Sequence, residues 1–410
     1  MRGNRAAAGD VEEAVAAAFR DEWGRIVATL IRTTGDWDLA EECAQEAFAR
    51  ALETWPGGVP RNPGAWLTTV ARNRALDRLR RATTEAAKLR TVAAMQDQDV
   101  PEPDGSGVAD DRLRLIFTCC HPALPPEARV ALTLRTVAGL TTAEIARAFL
   151  TTEPTMAKRL VRAKHKIRAA RIPYRVPPAE VLPERIAGVL AVVYLLFNEG
   201  YAASAGDELV RRDLCDEAIR LALLLVGLLP DPEVLGLAAL LLLQHSRRDA
   251  RVDAAGRLVT LDQQDRSRWD QEAIQDGLSI LARVDGEGPY AVQARIAACH
   301  ATAPTPAETD WSRIADHYAT LLRSTASPVV ALNRAVAVGK ADGAGAGLRL
   351  VEEIEQSGAL DGYHLLPAVR GDLLERLGRA EEARAAYEKA LALATSEPDR
   401  DHLRRRIAAV

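Results

Sequence analysis

The sequence predicts an all-α protein of several helical domains, on three observations. Ala, Leu and Arg dominate its 410 residues and aromatics make up only 4%; the dominant residues lose little side-chain freedom in a helix. No alternating run of Val, Ile and Thr marks a strand. Prolines punctuate long apolar segments instead of breaking them at random. With 48% hydrophobic and 27% charged residues the composition is globular, and the length exceeds one compact core. Met1-Arg2-Gly3-Asn4-Arg5 is not followed by an apolar signal-peptide region. The apolar runs 186–197 and 234–243 fall short of the roughly 20 residues that span a bilayer. Five cysteines follow no framework spacing. The expectation is a reduced, cytoplasmic protein with no membrane partner.

The first domain is expected over 10–81. Asp36 or Asp38 caps a helix whose inward side reads Leu39, Cys43, Ala47, Phe48 and Leu52. Asp38, Glu41, Glu42, Gln45 and Glu46 crowd its outer side, and Arg50 is the only base between 36 and 53. By itself such a face serves solubility. The loop 56–64, which contains Asn62, leads into a second helix. There, residues 72–81 hold five arginines against Asp77. Trp66, Asn73, Asp77 and Arg80 share one helical face, with Arg81 beside them. Asn and Arg suit base edges and phosphates; Trp66, at the helix start, reads as core.

Residues 82–108 form an acidic linker rich in Pro and Gly. The second domain, 109–172, ends in a helix-turn-helix. Thr141 or Thr142 caps a short helix, and Pro154 opens the next one, expected over 154–168. Met156, Leu160, Ala163 and Ile167 make an apolar stripe on it. Thr155, Lys158, Arg159, Arg162, His165 and Lys166 lie off that stripe. Seven Lys and Arg and no acid occur between 154 and 171. This is the grammar of a helix that enters the major groove. Charge agrees: residues 1–172 hold 26 basic against 22 acidic residues, net +4, and the remainder 27 against 35, net −8. The basic half therefore suits a polyanion.

The connector 172–178 is stiffened by Pro173, Pro177 and Pro178. Residues 180–410 read as a helical-repeat extension. In 364–397, Gly371, Gly378, Ala383, Tyr387 and Ala390 sit where a tetratricopeptide repeat places small and aromatic residues, with looser copies at 216–230 and 328–354. Stacked repeats make a concave surface that fits a protein or peptide partner. No catalytic, metal or cofactor site is expected. Cys119-Cys120-His121 lacks the C-x2-C spacing of a zinc site and reads as core. Gly343-Ala344-Gly345-Ala346-Gly347 follows no strand and lacks Lys-Ser/Thr, so it reads as an inter-helix loop and not a phosphate loop.

The order of acidic helix, Trp66-Leu67 with Ala71-Arg72-Asn73, Asp77 and Arg80 on the next helix, acidic linker and helix-turn-helix resembles a bacterial sigma-70-family RNA polymerase sigma factor of the extracytoplasmic-function type. The resemblance covers 10–172. The tail, with Phe197-Asn198-Glu199-Gly200-Tyr201, Asp265-Arg266-Ser267-Arg268-Trp269, Leu332-Asn333-Arg334-Ala335 and Gly362-Tyr363-His364, looks like the subgroup with a tetratricopeptide-like extension. The resemblance implies a non-enzymatic promoter-specificity subunit whose partners are RNA polymerase core and promoter DNA. Asp38, Glu42, Gln45 and Glu46 would contact the core. Asn62, Asn73, Asp77, Arg80 and Arg81 would serve the −10 element, and the six side chains named on the 154–168 helix the −35 element. Leu150 stands where Gly is frequent in the turn, and Ala157 where a base is frequent, so the −35 sequence preference does not carry over. The alternative is a helix-turn-helix regulator with a ligand- or protein-sensing tail that acts without polymerase.

Overall fold

The computed structural model describes residues 3–90, 111–149, 151–201, 212–253, 259–394 and 397–410. Among these, eighteen α-helices and no strand occur, as composition predicts. The chain divides into two compact units, residues 1–195 and 196–410. None of the described helices is long and apolar enough to cross a membrane.

The first unit contains α1 (Gly3–Thr34), α2 (Trp37–Thr54), α3 (Pro63–Arg90), α4 (Asp111–Cys119), α5 (Pro126–Thr133), α6 (Thr142–Ala148) and α7 (Glu153–Ala169). It also holds most of α8 (Leu182–Tyr201). Helices α1, α2 and α3 pack on one another. Phe19 stacks on Trp23 at 4.9 Å and meets Phe48 edge-on, closing the centre of this bundle. Cys43, Ala47 and Phe48 are buried as expected, but Leu39 is only half-buried and Leu52 is 48% exposed; Ala40, Ala44 and Ala51 are buried in their place. Alanines serve there because α1 and α3 approach closely. Trp66 is half-buried edge-on to the buried Trp55, 5.7 Å between rings, in line with a core role. Helix α3 runs on through residues 82–90, which the sequence suggests as linker; the rest of that linker, 91–108, lies outside the described residues.

Helices α4–α7 form the second bundle. A π-turn, Leu134–Ala138, ends at Gly139 with φ +81°. Any Cβ there would lie under 3 Å from Phe19 and Trp23, so only Gly lets this turn meet α1. A Cβ on Gly24 of α1 would likewise lie under 3 Å from the carbonyl oxygen of Val137. The two bundles of the first unit are therefore in contact. Cys119 and Cys120 are buried with their Sγ atoms 3.2 Å and 3.6 Å from the hydroxyls of Thr136 and Thr133. Burial raises both thiol pKa values, that of Cys120 to about 11. They are packing residues. The connector is held as well: Tyr174 Oη donates to the carbonyl of Ala28 (2.9 Å), and Arg185 donates to that of Phe117 (2.6 Å).

The second unit winds through α9 (Arg212–Leu228), α10 (Pro232–His245), α11 (Gln271–Leu281), α12 (Pro289–Thr302) and α13 (Trp311–Thr325). It continues with α14 (Pro328–Ala341), α15 (Ala344–Ser357), α16 (Leu365–Arg376), α17 (Ala380–Leu393) and α18 (Glu397–Ala409). From α12 onward each helix packs on the next, and their buried residues form two hydrophobic clusters, one across α12–α14 and one across α14–α18. The glycine run is not a loop: Gly343 caps α15 and the rest lies in its first turns, where Gly347 abuts Gly339 of α14. In the 364–397 segment Gly371 faces the ring of Tyr387, while Ala383 and Ala390 are fully buried, as the repeat pattern predicts.

Candidate nucleic-acid interface

Helix α7 is built as the sequence suggests. Thr152 caps it by accepting from Thr155 N–H, and Pro154 lies in its first turn. Thr141, and not Thr142, caps α6, in a capping box with Glu144. Met156, Leu160, Ala163 and Ile167 are all buried against the bundle. Thr155, Lys158, Arg162, His165 and Lys166 are exposed. Arg159 is half-exposed, its guanidinium 5.6 Å from the centre of the Phe149 ring. A cleft of about 500 Å³ beside the N-terminus of α5 is lined by Thr155, Arg159, Arg162 and Lys166. The structure thus brings the six expected side chains to one cationic surface whose acids are few.

One cation of α7 behaves differently. Lys164 is buried, with its ammonium 2.7 Å from Glu41 and 2.8 Å from Asp38, both on α2. Arg135 joins Glu41 at 2.9 Å, and Arg168 lies 3.4 Å from Asp38. Glu41 is 6% exposed, so its expected place on the outer, solvated side of α2 is wrong. It points at the second bundle, where an unpaired carboxylate would be costly. Burial alone would raise the Asp38 pKa; hydrogen bonds and charge from Lys164 and Arg168 outweigh it and lower the value. This Glu41–Lys164–Arg135 cluster escaped sequence reasoning. No local pattern tells which of the six Lys and Arg on this helix is turned inward.

The other carboxylates of α2 pair within their own bundle. Arg78 of α3 donates to both Glu42 and Glu46, and Arg74 lies 3.6 Å from Glu46. Gln45 is exposed. On α3, Asn73, Asp77, Arg80 and Arg81 are exposed along one side, with Arg80 3.9 Å from Asp77. Asn62 stands apart from them: its side chain accepts from Ala65 N–H (3.0 Å) and caps α3. Among the described residues no cluster of three His, Cys, Asp or Glu side chains could hold a metal ion.

Comparison with known proteins matches three family models. Residues 19–85 match sigma-70 region 2, residues 114–167 sigma-70 region 4, and residues 185–285 a family of unknown function. The chain is 48% identical to the uncharacterized protein R00370 of Rhizobium meliloti, over 92% of this chain and 90% of that protein. It is 33% identical to the ECF RNA polymerase sigma factor SigL of Mycobacterium tuberculosis, over 39% of this chain and 89% of SigL. It is 31% identical to the probable ECF RNA polymerase sigma factor SigI of the same species, over 40% of this chain but only 58% of SigI. A region 2 bundle with a polar α3 face, a region 4 bundle that presents a capped cationic helix, and a sigma factor matched over nearly its whole length agree: the chain belongs to the ECF RNA polymerase sigma factors, with a long helical C-terminal extension.

Proposed function

We propose that this sigma factor divides its work among three surfaces. The exposed face of α7 reads the −35 element through Lys158, Arg159, Arg162, His165 and Lys166, with Thr155 at the helix entrance. The side of α3 that bears Asn73, Asp77, Arg80 and Arg81 serves the −10 element, and Asn62 fixes the loop that leads to it. Asp38, Glu42, Gln45 and Glu46 of α2 meet the polymerase core. The observation that carries this reading is the surface of α7: its apolar stripe is buried while its expected DNA-contacting side chains reach solvent. The protein acts by binding; strand opening costs a few kcal/mol per unstacked step, offset by contacts to phosphates and extruded bases.

Promoter reading requires the two bundles to part. Elements named −35 and −10 lie about 25 base pairs apart, roughly 85 Å at 3.4 Å per base pair. Lys164 of α7 and Asp38 of α2 are 2.8 Å apart. Asp38 is also an expected core contact, so core binding competes directly with the closed arrangement.

Transcription from promoter DNA by core polymerase plus this chain tests the reading; transcripts that need both components are the expected outcome. A nanomolar, sequence-specific complex of the chain alone would instead favour a stand-alone regulator, a reading that the match to sigma-70 region 2 disfavours.

We propose further that the extension modulates activity and takes a partner, of protein, peptide or smaller size, in its concave surface. Residues 172–195 have a structural role first. They carry Tyr174 and Arg185, which bond α1 and α4, and they bury Ile186, Val189, Leu190, Val192 and Val193. A chain truncated after Arg171 should lose most reporter transcription at equal abundance by immunoblot. Equal or higher activity would mean that the extension inhibits instead.

A further inference from the structure

The second unit has a groove of about 720 Å³ between the 260–266 segment and α18. Its walls come from α12, α13, α14, α16, α17 and α18. The volume is that of a small-molecule site, which spans about 300–1,000 Å³.

Two cations that line the groove, Arg266 and Lys340, form no ion pair with a carboxylate among the described residues. The Arg266 guanidinium donates to the carbonyls of His300 (2.8 Å) and Ala303 and to the Thr309 hydroxyl (3.1 Å). All three acceptors are neutral. Arg247, close enough to act on both Arg266 and His300, donates to Tyr201 Oη (2.9 Å) and to Gln244. Lys340 Nζ lies 5.9 Å from the centre of the Trp311 ring and has no carboxylate within 4 Å among the described residues. His300 adds no charge at neutral pH: burial, then Arg247 and Arg266, lower its pKa to about 4. Glu308 offsets part of the field at Arg266. His300 stands edge-on to Trp311 at 5.2 Å, and its buried Nδ1 has no hydrogen-bond partner.

The remainder of the groove is of another kind. Leu261, Val336, Ala368 and Leu373 supply apolar lining, beside the carboxylates of Asp262 and Asp399, the latter 3.6 Å from His364. On the far wall Arg406 is saturated by Asp372 (3.1 Å), Glu375 (2.6 Å) and Tyr387 Oη (2.6 Å). Its charge is spent, and it braces α16 against α18. A site with unspent cations and an aromatic plate at one end, and apolar walls beyond, fits a particular ligand. We infer that this groove binds a small organic anion with an apolar body, its carboxylate or phosphate between Lys340 and Arg266 and its body along Trp311 and Val336. The inference rests on the proposal that the extension modulates activity through its concave surface, and it names the ligand chemistry there.

Calorimetric titration of the full chain tests it with 3-phenylpropionate, phenyl phosphate, the neutral 3-phenylpropanol and a ten-residue peptide that ends in a free Phe carboxylate. Both anions should bind at least about tenfold tighter than the alcohol. Relative order of carboxylate and phosphate tells which head group the groove prefers. Lys340→Ala should weaken the anions about fivefold or more, whereas Arg349→Ala, an exposed cation of α15 outside the groove, should leave them unchanged. Four results would overturn the inference: no titration by either anion, alcohol as tight as the anions, equal effects of the two variants, or a peptide about tenfold tighter than phenylpropionate, which would make the groove a peptide site. Binding is measured without polymerase, so its failure is distinct from failure of promoter-directed transcription.

Discussion

The two carboxylate sets of α2 differ in everything but sequence neighbourhood. Asp38 and Glu41 face the second bundle, where Lys164 is buried with Glu41, Arg135 is part-buried beside them and Asp38 stays largely exposed. Glu42 and Glu46 turn toward α3 and share Arg78 at the surface. Adjacent residues on a helix differ by about 100° in direction, and here that rotation separates a buried cluster from a solvated one. A charge withdrawn from water must be matched, so removal of one partner is expensive. An exposed pair is screened and contributes little. The inner set therefore helps hold the two bundles together, whereas the outer set pairs within its own bundle.

The largest expected effect breaks the inner set. Glu41→Ala leaves Lys164 buried and Arg135 part-buried, with only Asp38 near, and should destabilise the first unit by about 3 kcal/mol. Glu42→Ala should change it by less than about 0.5 kcal/mol. Thermal unfolding of both variants, followed through the transition of residues 1–195, checks the contrast; equal shifts would erase it.

The second effect separates DNA reading from core binding. Arg162→Ala and Lys158→Ala should each cost about 1–3 kcal/mol in promoter affinity of the holoenzyme where they meet base edges. Glu42→Lys with Glu46→Lys should weaken core affinity and leave DNA preference intact. Affinity measurements with core alone and with holoenzyme on promoter DNA distinguish the two; equal effects of both sets on core affinity would contradict the division.

The smallest effect is in pH. The Asp38 pKa is lowered in the folded chain, so its ion pairs stabilise the closed arrangement above the ordinary Asp value of about 3.9. That contribution is lost as pH falls through the lowered value. The difference in thermal midpoint between the native chain and Asp38→Asn should be constant from about pH 7 to 5 and shrink toward about pH 3. A difference that already shrinks between pH 7 and 5 would remove Asp38 from the contact.

Much of the site was legible because it is periodic. The stripe Met156, Leu160, Ala163 and Ile167 identified the buried side of α7, and so its exposed one. Thr141 or Thr142, and Asp36 or Asp38, marked helix starts through side chains that can satisfy free backbone N–H groups, and the structure selects Thr141 and Asp36. Where a residue's fate hung on a partner distant in sequence, the pattern failed. Glu41 shares the polar side of α2 with Asp38 and Gln45, and only contact with the second bundle buries it. Leu52 looked buried by spacing, but the helix ends there with no neighbour to cover it. The glycine run looked like a loop because glycine disfavours helices, yet close contact with Gly339 holds it in one.

The sequence by itself determined the helices, their caps, the cationic face of α7 and the membership of residues 10–172 in a sigma-factor order. All of these follow from interactions within a few residues, where side-chain spacing and backbone hydrogen bonding decide. Only the tertiary structure decided that Lys164 turns inward to Glu41 of α2, that Gly139 lets one bundle seat on the other, and that Arg266, Lys340 and Trp311 line one groove. These partners lie tens to more than a hundred residues apart, and no local period encodes which distant surface excludes water from which charge.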